Sequence, residues 1–148
     1  MLAWIIAGAL ILWLVMKVVA RGARKELDRR APSSQVVRLP STGDFRQPIV
    51  GESNYQRALR SIAGPGEVEH ECTAHLVMEP DNRYDRNAVR VDIDGVRVGY
   101  LDRDAAVLYR RRLQAQGIGL VTVECGAKVF GGGTGRSLGV WLDLPEID

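Results

Sequence analysis

Residues 2–16, LAWIIAGALILWLVM, hold neither a charge nor a strong helix breaker. Lys17 interrupts the run, and Val18, Val19 and Ala20 extend it to 19 residues. As a helix this is about 28 Å long at ~1.5 Å per residue, close to a ~30 Å hydrocarbon core. A helix buried in a globular core would normally show a polar face, and this one has none. A secretory signal would need a basic n-region, yet only Met1 and Leu2 precede Ala3 and Trp4. Val18-Val19-Ala20 does have the small-residue character of a cleavage site, so a cleaved signal stays as the alternative. The first reading is a transmembrane helix over residues 2–20 with the lipid bilayer as its partner. Lys17 sits near the inner end, where its stem lies in lipid while the ammonium reaches the headgroups. Trp4 occupies the place of an interfacial anchor.

The flanks set an orientation. Residues 21–30, RGARKELDRR, hold Arg21, Arg24, Lys25, Arg29 and Arg30 against Glu26 and Asp28. Lys and Arg resist translocation, so a single-pass protein is expected with its N-terminus outside the cell membrane and its C-terminal domain cytoplasmic. The chain has 20 Lys+Arg and 18 Asp+Glu; six and two of these lie in residues 1–30, leaving 14 and 16 for the rest. The sequence pI of 8.7 therefore reports the juxtamembrane stop and is no sign of a basic, nucleic-acid-binding domain.

Residues 21–48 combine this stop with a proline- and serine-containing stretch of little periodicity, which reads as a flexible linker. The folded domain is expected over 49–144. Ser53-Asn54-Tyr55-Gln56 fits a capping box, followed by Tyr55, Leu59 and Ile62 on one helical face and a stop at Gly64-Pro65-Gly66. From Glu67 to Met78 the chain alternates, with Val68, His70, Cys72, Ala74, Leu76 and Met78 in one phase, as a long half-buried strand does. Val89, Val91 and Ile93 form the next strand, and Asp94-Gly95 signals a type I′ hairpin into Val96, Val98 and Tyr100. Asp102 can cap a helix over 103–116 with Ala106, Tyr109 and Leu113 on its inner face. Two further strands follow, Val121 to Val129 and Leu138 to Leu142. Five to six strands with two helices define a β-rich α+β class, a small partly closed OB-like β-barrel.

Candidate chemistry is sparse. Cys72 and Cys125 lie in strands without CxxC spacing and read as small hydrophobes of a reducing compartment. His70 and Cys72 share a strand face, but His75 falls on the other and no second ligand pair exists, so no metal is expected. Gly131-Gly132-Gly133-Thr134-Gly135-Arg136 lacks the Gly-Lys-Ser/Thr ending of a phosphate loop and reads as a hairpin loop. No nucleophile–base pair or paired carboxylates stand out, so neither an enzyme nor a cofactor is expected. The informative stretch is Glu79-Pro80-Asp81-Asn82-Arg83-Tyr84-Asp85-Arg86-Asn87-Ala88 between two strands. Pro80 ends the first, and Asn82, Asp85 and Asn87 are side chains that bond nearby backbone N–H groups.

This loop resembles the HIRAN domain, in which a strand ends in E-P-x-N-x-Y-D-x-N-A. Val50-Gly51-Glu52, the segment from Val91 to Asp94-Gly95, and Val98-Gly99-Tyr100-Leu101 also fall where that family has them, so the resemblance covers residues 49 to 130. It implies a modified oligonucleotide-binding barrel that, in fork-remodelling DNA translocases, captures the 3′ end of single-stranded DNA. Carried over, Asp85 would accept from the terminal 3′-hydroxyl and Tyr84 would stack on a base, with Tyr100, Tyr55 and Asn87 beside them. Two departures accompany it. Ser53 and Asn54 stand where the DNA-binding members have an arginine and a stacking tyrosine, and Tyr55 lies one residue late. The family normally accompanies a helicase-like ATPase, and this chain has no Walker A sequence. Two functions are carried forward: a membrane-anchored module for single-stranded nucleic acid, and a protein-interaction or membrane-signalling module that uses the same groove for a protein partner.

Overall fold

The alternation over 67–78 forms one strand, β3 (Glu67–Met78), and the rest of the fold is arranged around it. The computed structural model describes residues 35–145; the expected transmembrane helix 2–20 and the basic stop 21–30 lie outside them. Among the described residues, no helix is long and apolar enough to cross a membrane. The other strands are β1 (Val36–Arg38), β2 (Gln47–Pro48), β4 (Val89–Ile93), β5 (Val96–Tyr100), β6 (Thr122–Gly132) and β7 (Leu138–Asp143). The helices are α1 (Gln56–Ala63), entered through a 3-10 turn at Glu52–Asn54, and α2 (Arg103–Ala115).

The sheet order is β2-β7-β6-β3-β4-β5, all antiparallel, with β1 added in parallel to β6. The sheet then curls back on itself. Residues 47–49 pair with β7, and the next residue, Val50, exchanges backbone hydrogen bonds of 2.8 and 3.0 Å with Tyr100 of β5. A curled sheet whose two ends meet through one short segment, with two helices, is a small OB-like barrel. Inward positions alternate as expected: Val89, Val91 and Ile93 of β4, Val123, Cys125, Ala127 and Val129 of β6, and Leu138, Val140 and Leu142 of β7 are all buried. Ala105, Ala106, Tyr109 and Leu113 of α2 complete this core together with Leu59 of α1. Asp102 caps α2 by accepting from the Ala105 N–H at 2.9 Å. Asp94 and Gly95 take the left-handed conformations, φ 51° and 74°, that a type I′ turn requires.

Gly99 makes the closure possible. A Cβ there would stand 2.6 Å from the Val50 carbonyl oxygen and 2.7 Å from Ile49 Cδ1. Gly99→Ala is therefore expected to cost about 1–3 kcal/mol, as overpacking does, by prising residues 49–50 off β5. Urea unfolding measures it, and an unchanged midpoint would show that the segment yields freely.

Three expectations are corrected. First, the stretch from Val36 to Pro48, read as linker, belongs to the sheet as β1 and β2, and Val37 and Leu39 pack against the core. Ser41, Thr42 and Gly43 form a strap over Asp143, which is 1% exposed and accepts from Ser41 Oγ at 2.6 Å, Thr42 N at 2.8 Å, Thr42 Oγ1 at 2.5 Å and Gly43 N at 3.0 Å. Two strands of three and two residues are too short to show a period. Second, the capping box does not form. Tyr55, not Ser53, is the N-cap of α1, and no side chain caps it. The Gln56 amide instead reaches the first residue of β7, donating to Leu138 O and accepting from Leu138 N, both at 2.8 Å. Third, His70 is exposed although it shares the phase of Leu76. That half of β3 pairs with β6 alone, since β4 joins only from Ala74 onward.

Candidate functional site

The loop between β3 and β4 is fixed by its own polar groups. Glu79 N donates to Ala88 O across its base at 3.0 Å, Asn82 N to Glu79 O at 3.0 Å, and Ala88 N to Asp85 O at 3.1 Å. The Asn82 side-chain oxygen accepts from the N–H groups of Tyr84 at 3.0 Å and Asp85 at 3.2 Å. Asp85 Oδ1 accepts from Asn87 N at 2.8 Å. Asn82 and Asp85 thus act as the local caps that their chemistry predicts, whereas the Asn87 side chain makes no hydrogen bond among the described residues. Asp85 Oδ2 is likewise left without a hydrogen bond there. With the backbone so held, Tyr84 projects from the barrel at 79% exposure, and the Arg83 guanidinium lies 4.7 Å from its ring centroid. Residues 80–86 surround a polar hollow of about 530 Å³.

A second group of side chains lies on the outer face of the β4–β5 hairpin. Period-two reading places Tyr100 with Val98 on the buried face, but a bulge between Val91 and Asp92 shifts the register. Val91 pairs with Gly99 and Arg90 with Tyr100, so Tyr100 turns outward with Arg90 and Arg97. The Arg97 guanidinium is 5.6 Å from the Tyr100 ring centroid. Its hydrogen bond with the Tyr55 hydroxyl holds it further into its charged form, against the burial that opposes it. The Tyr100 hydroxyl lies 3.4 Å from Glu79 Oε2 and donates to it. Burial, then the Glu79 charge, raises the Tyr100 pKa, so the hydroxyl keeps its proton.

Glu79 joins the two groups. Its Oε2 accepts from Asn82 Nδ2 at 2.9 Å and its Oε1 from Arg90 Nη1 at 2.7 Å; Arg90 Nε also meets Asp92 Oδ1 at 2.9 Å. Burial alone would raise the Glu79 pKa, but the bonds from Asn82 and Arg90 outweigh it and the carboxyl ends below its usual range. Of the five residues singled out in sequence, Tyr84, Asp85 and Asn87 therefore stand on the loop, and Tyr55 and Tyr100 stand together beside Arg97. Glu79, Arg90 and Arg97 are the members that sequence reading missed. The signal for Arg97 was present, because a hairpin turning at Asp94-Gly95 sets Arg97 opposite Asp92 on the outer face.

Ser53 and Asn54 lie in the 3-10 turn and are exposed. Among the described residues no cluster of His, Cys, Asp and Glu has the arrangement of a metal site. The surface thus offers an exposed aromatic ring with a guanidinium over one face, one carboxylate oxygen without a hydrogen bond among the described residues, and nearby arginines.

A small OB-like barrel carrying a self-bonded Pro-Asp-Asn-Arg-Tyr-Asp loop at its rim defines a class of binding module. The HIRAN domain family matches residues 43–125, more than half of the chain, and the chain belongs to that family. The match begins at Gly43, inside the strap over Asp143, and ends at Cys125 in β6. Nothing among curated proteins or solved structures matches the chain.

Proposed function

We propose that the chain is a nucleic-acid-binding module that takes the 3′ end of a single strand and is held at a membrane by residues 2–20. The observation that carries the reading is Tyr84. A tyrosine 79% exposed on a loop whose backbone is fixed by Asn82 and Asp85 contributes nothing to the core, yet its ring is preorganised for stacking. Asp85 Oδ2 supports the second half of the reading, since a carboxylate oxygen beside a stacking platform accepts from a terminal hydroxyl and repels a terminal phosphate. Membership of the HIRAN family supports the nucleic-acid class. Fluorescence anisotropy of the full chain with single-stranded oligonucleotides ending in 3′-hydroxyl or 3′-phosphate tests it. Tighter binding of the hydroxyl end is expected; indifference to the 3′ group would refute end capture and favour a protein partner for the same surface.

The anchor rests on the uncharged run 2–16 and on the basic flank 21–30, and gives a single-pass protein with the barrel in the cytoplasm. A fusion of alkaline phosphatase after Asp148 should be inactive. An active periplasmic reporter there would reverse the orientation.

A further inference from the structure

Among the described residues, end capture leaves unused a groove between α1 and the tip of the β4–β5 hairpin. It encloses about 540 Å³ and is lined by the apolar Ala58 and Val96 and by Arg57, Arg97, Asn54 and Tyr55, with no acidic side chain. Val96 is 47% exposed, so the hairpin tip presents an apolar surface to a groove that Arg57 and Arg97 also line. Arg57 makes no ion pair among the described residues. Arg97 makes one ion pair among the described residues, to a Glu79 oxygen at 3.8 Å that Arg90 already holds at 2.7 Å; Asp92, opposite it across the hairpin, is likewise held by Arg90, at 2.9 Å. Two arginines with unspent donors, set about an apolar floor, match alternating phosphates and sugar–base edges better than they match a carboxylate-bearing peptide. A relay of side chains runs from the groove to the loop site: Tyr55 and Arg97 line the groove, Arg97 lies over Tyr100, and the Tyr100 hydroxyl meets Glu79 at the root of the loop.

We infer that this groove takes the phosphodiester backbone of a single strand on the 5′ side of an end held by the 79–88 loop, with Arg57 contacting a phosphate. The inference rests on the end-capture reading and goes beyond it, since it assigns a path and a second contact. Arg57 is on the surface of α1, and alanine there keeps the helix. The test uses the full chain in a zwitterionic detergent with a 5′-labelled trinucleotide and dodecanucleotide of thymidine, both ending in 3′-hydroxyl. Arg57→Ala should weaken the dodecanucleotide about tenfold, the loss of one charge-assisted contact. It should also flatten the slope of log affinity against log salt by about 0.7, one phosphate's share on a single strand. Trinucleotide binding should not change, and Arg57→Lys should restore the salt slope. If dodecanucleotide affinity and slope are unmoved while the 3′-hydroxyl preference persists, the groove is wrong and end capture stands. If the wild-type chain binds neither oligonucleotide, both readings fall before any variant is made. Arg57-dependent calorimetric binding of submicellar dihexanoyl phosphatidylserine, with no effect on the dodecanucleotide, would assign the groove to lipid headgroups and overturn the inference.

Discussion

Asp143→Asn should lower the melting temperature by roughly 10 °C at neutral pH and should flatten the acid limb of the stability profile. Burial on its own would raise the pKa of this carboxyl, but the donors of Ser41, Thr42 and Gly43 outweigh it and hold the value at about 2, against 3.8 for the ordinary group. A folded pKa below the unfolded one means that the unfolded chain binds the extra proton. The stabilisation is therefore full above the unfolded value and is lost as pH falls from about 4 toward 2. The difference corresponds to about 2.5 kcal/mol at neutral pH, at ~1.4 kcal/mol per pKa unit. For a domain of this size each kcal/mol moves the melt by roughly 4–8 °C. Asparagine keeps the shape and one acceptor oxygen but removes the charge that four donors converge on. A fragment beginning at Arg46 should share the flattened acid limb, because it lacks the strap, and should also lose β1. Cutting the strap rehydrates the carboxylate, so its cost is that of lost docking and not of a stranded buried charge. Thermal melts between pH 2 and 7 decide this. An Asp143→Asn profile parallel to wild type throughout that range would mean that the strap is not coupled to the carboxylate.

Why the strap escapes a sequence reading is clear from its parts. Its strands have three and two residues, and the carboxylate that fixes it lies 100 residues further along the chain. Periodicity reports elements that repeat over several residues, which is why β3, the Asp94-Gly95 hairpin and the Asp102-capped helix were legible. The loop 79–88 was legible for a different reason, since Asn82 and Asp85 bond only their immediate neighbours and such contacts are written in local spacing. Tyr100 marks the boundary between the two cases. Its place beside the site could be read from sequence, but its direction could not, because a one-residue bulge between Val91 and Asp92 reverses the period-two phase and leaves no mark in the local sequence of β5. Gln56 is similar: its helix-start spacing is local, while its actual partner, the Leu138 backbone, is 82 residues away.

The geometry of the loop sharpens what substitution of Asp85 should do. Oδ1 is already committed to the Asn87 N–H at 2.8 Å, which leaves Oδ2 for a ligand. In Asp85→Asn the amide oxygen must stay on Asn87 to preserve the loop, so the second atom becomes an NH₂ group. That group donates and cannot accept from a 3′-hydroxyl. Asparagine loses the bond to a charged acceptor, worth about 1.5–3 kcal/mol, and keeps at best a neutral one donated to the hydroxyl oxygen, so it should weaken hydroxyl ends by somewhat less than alanine does. It should improve binding of 3′-phosphate ends, where a donor replaces a repelling carboxylate, so that the preference for hydroxyl collapses or inverts. Tyr84→Ala should cost ~1–3 kcal/mol for either end and for any terminal base, since stacking on an exposed ring is indifferent to sequence. Asp85→Asn keeps the loop bond that Asp85→Ala loses, so matching melts for wild type and Asp85→Asn separate ligand effects from loop collapse. Anisotropy titrations with both ends against all four proteins give the answer. A hydroxyl preference that survives Asp85→Asn in a folded protein would remove Asp85 from end recognition and leave Tyr84 as a stacking platform alone.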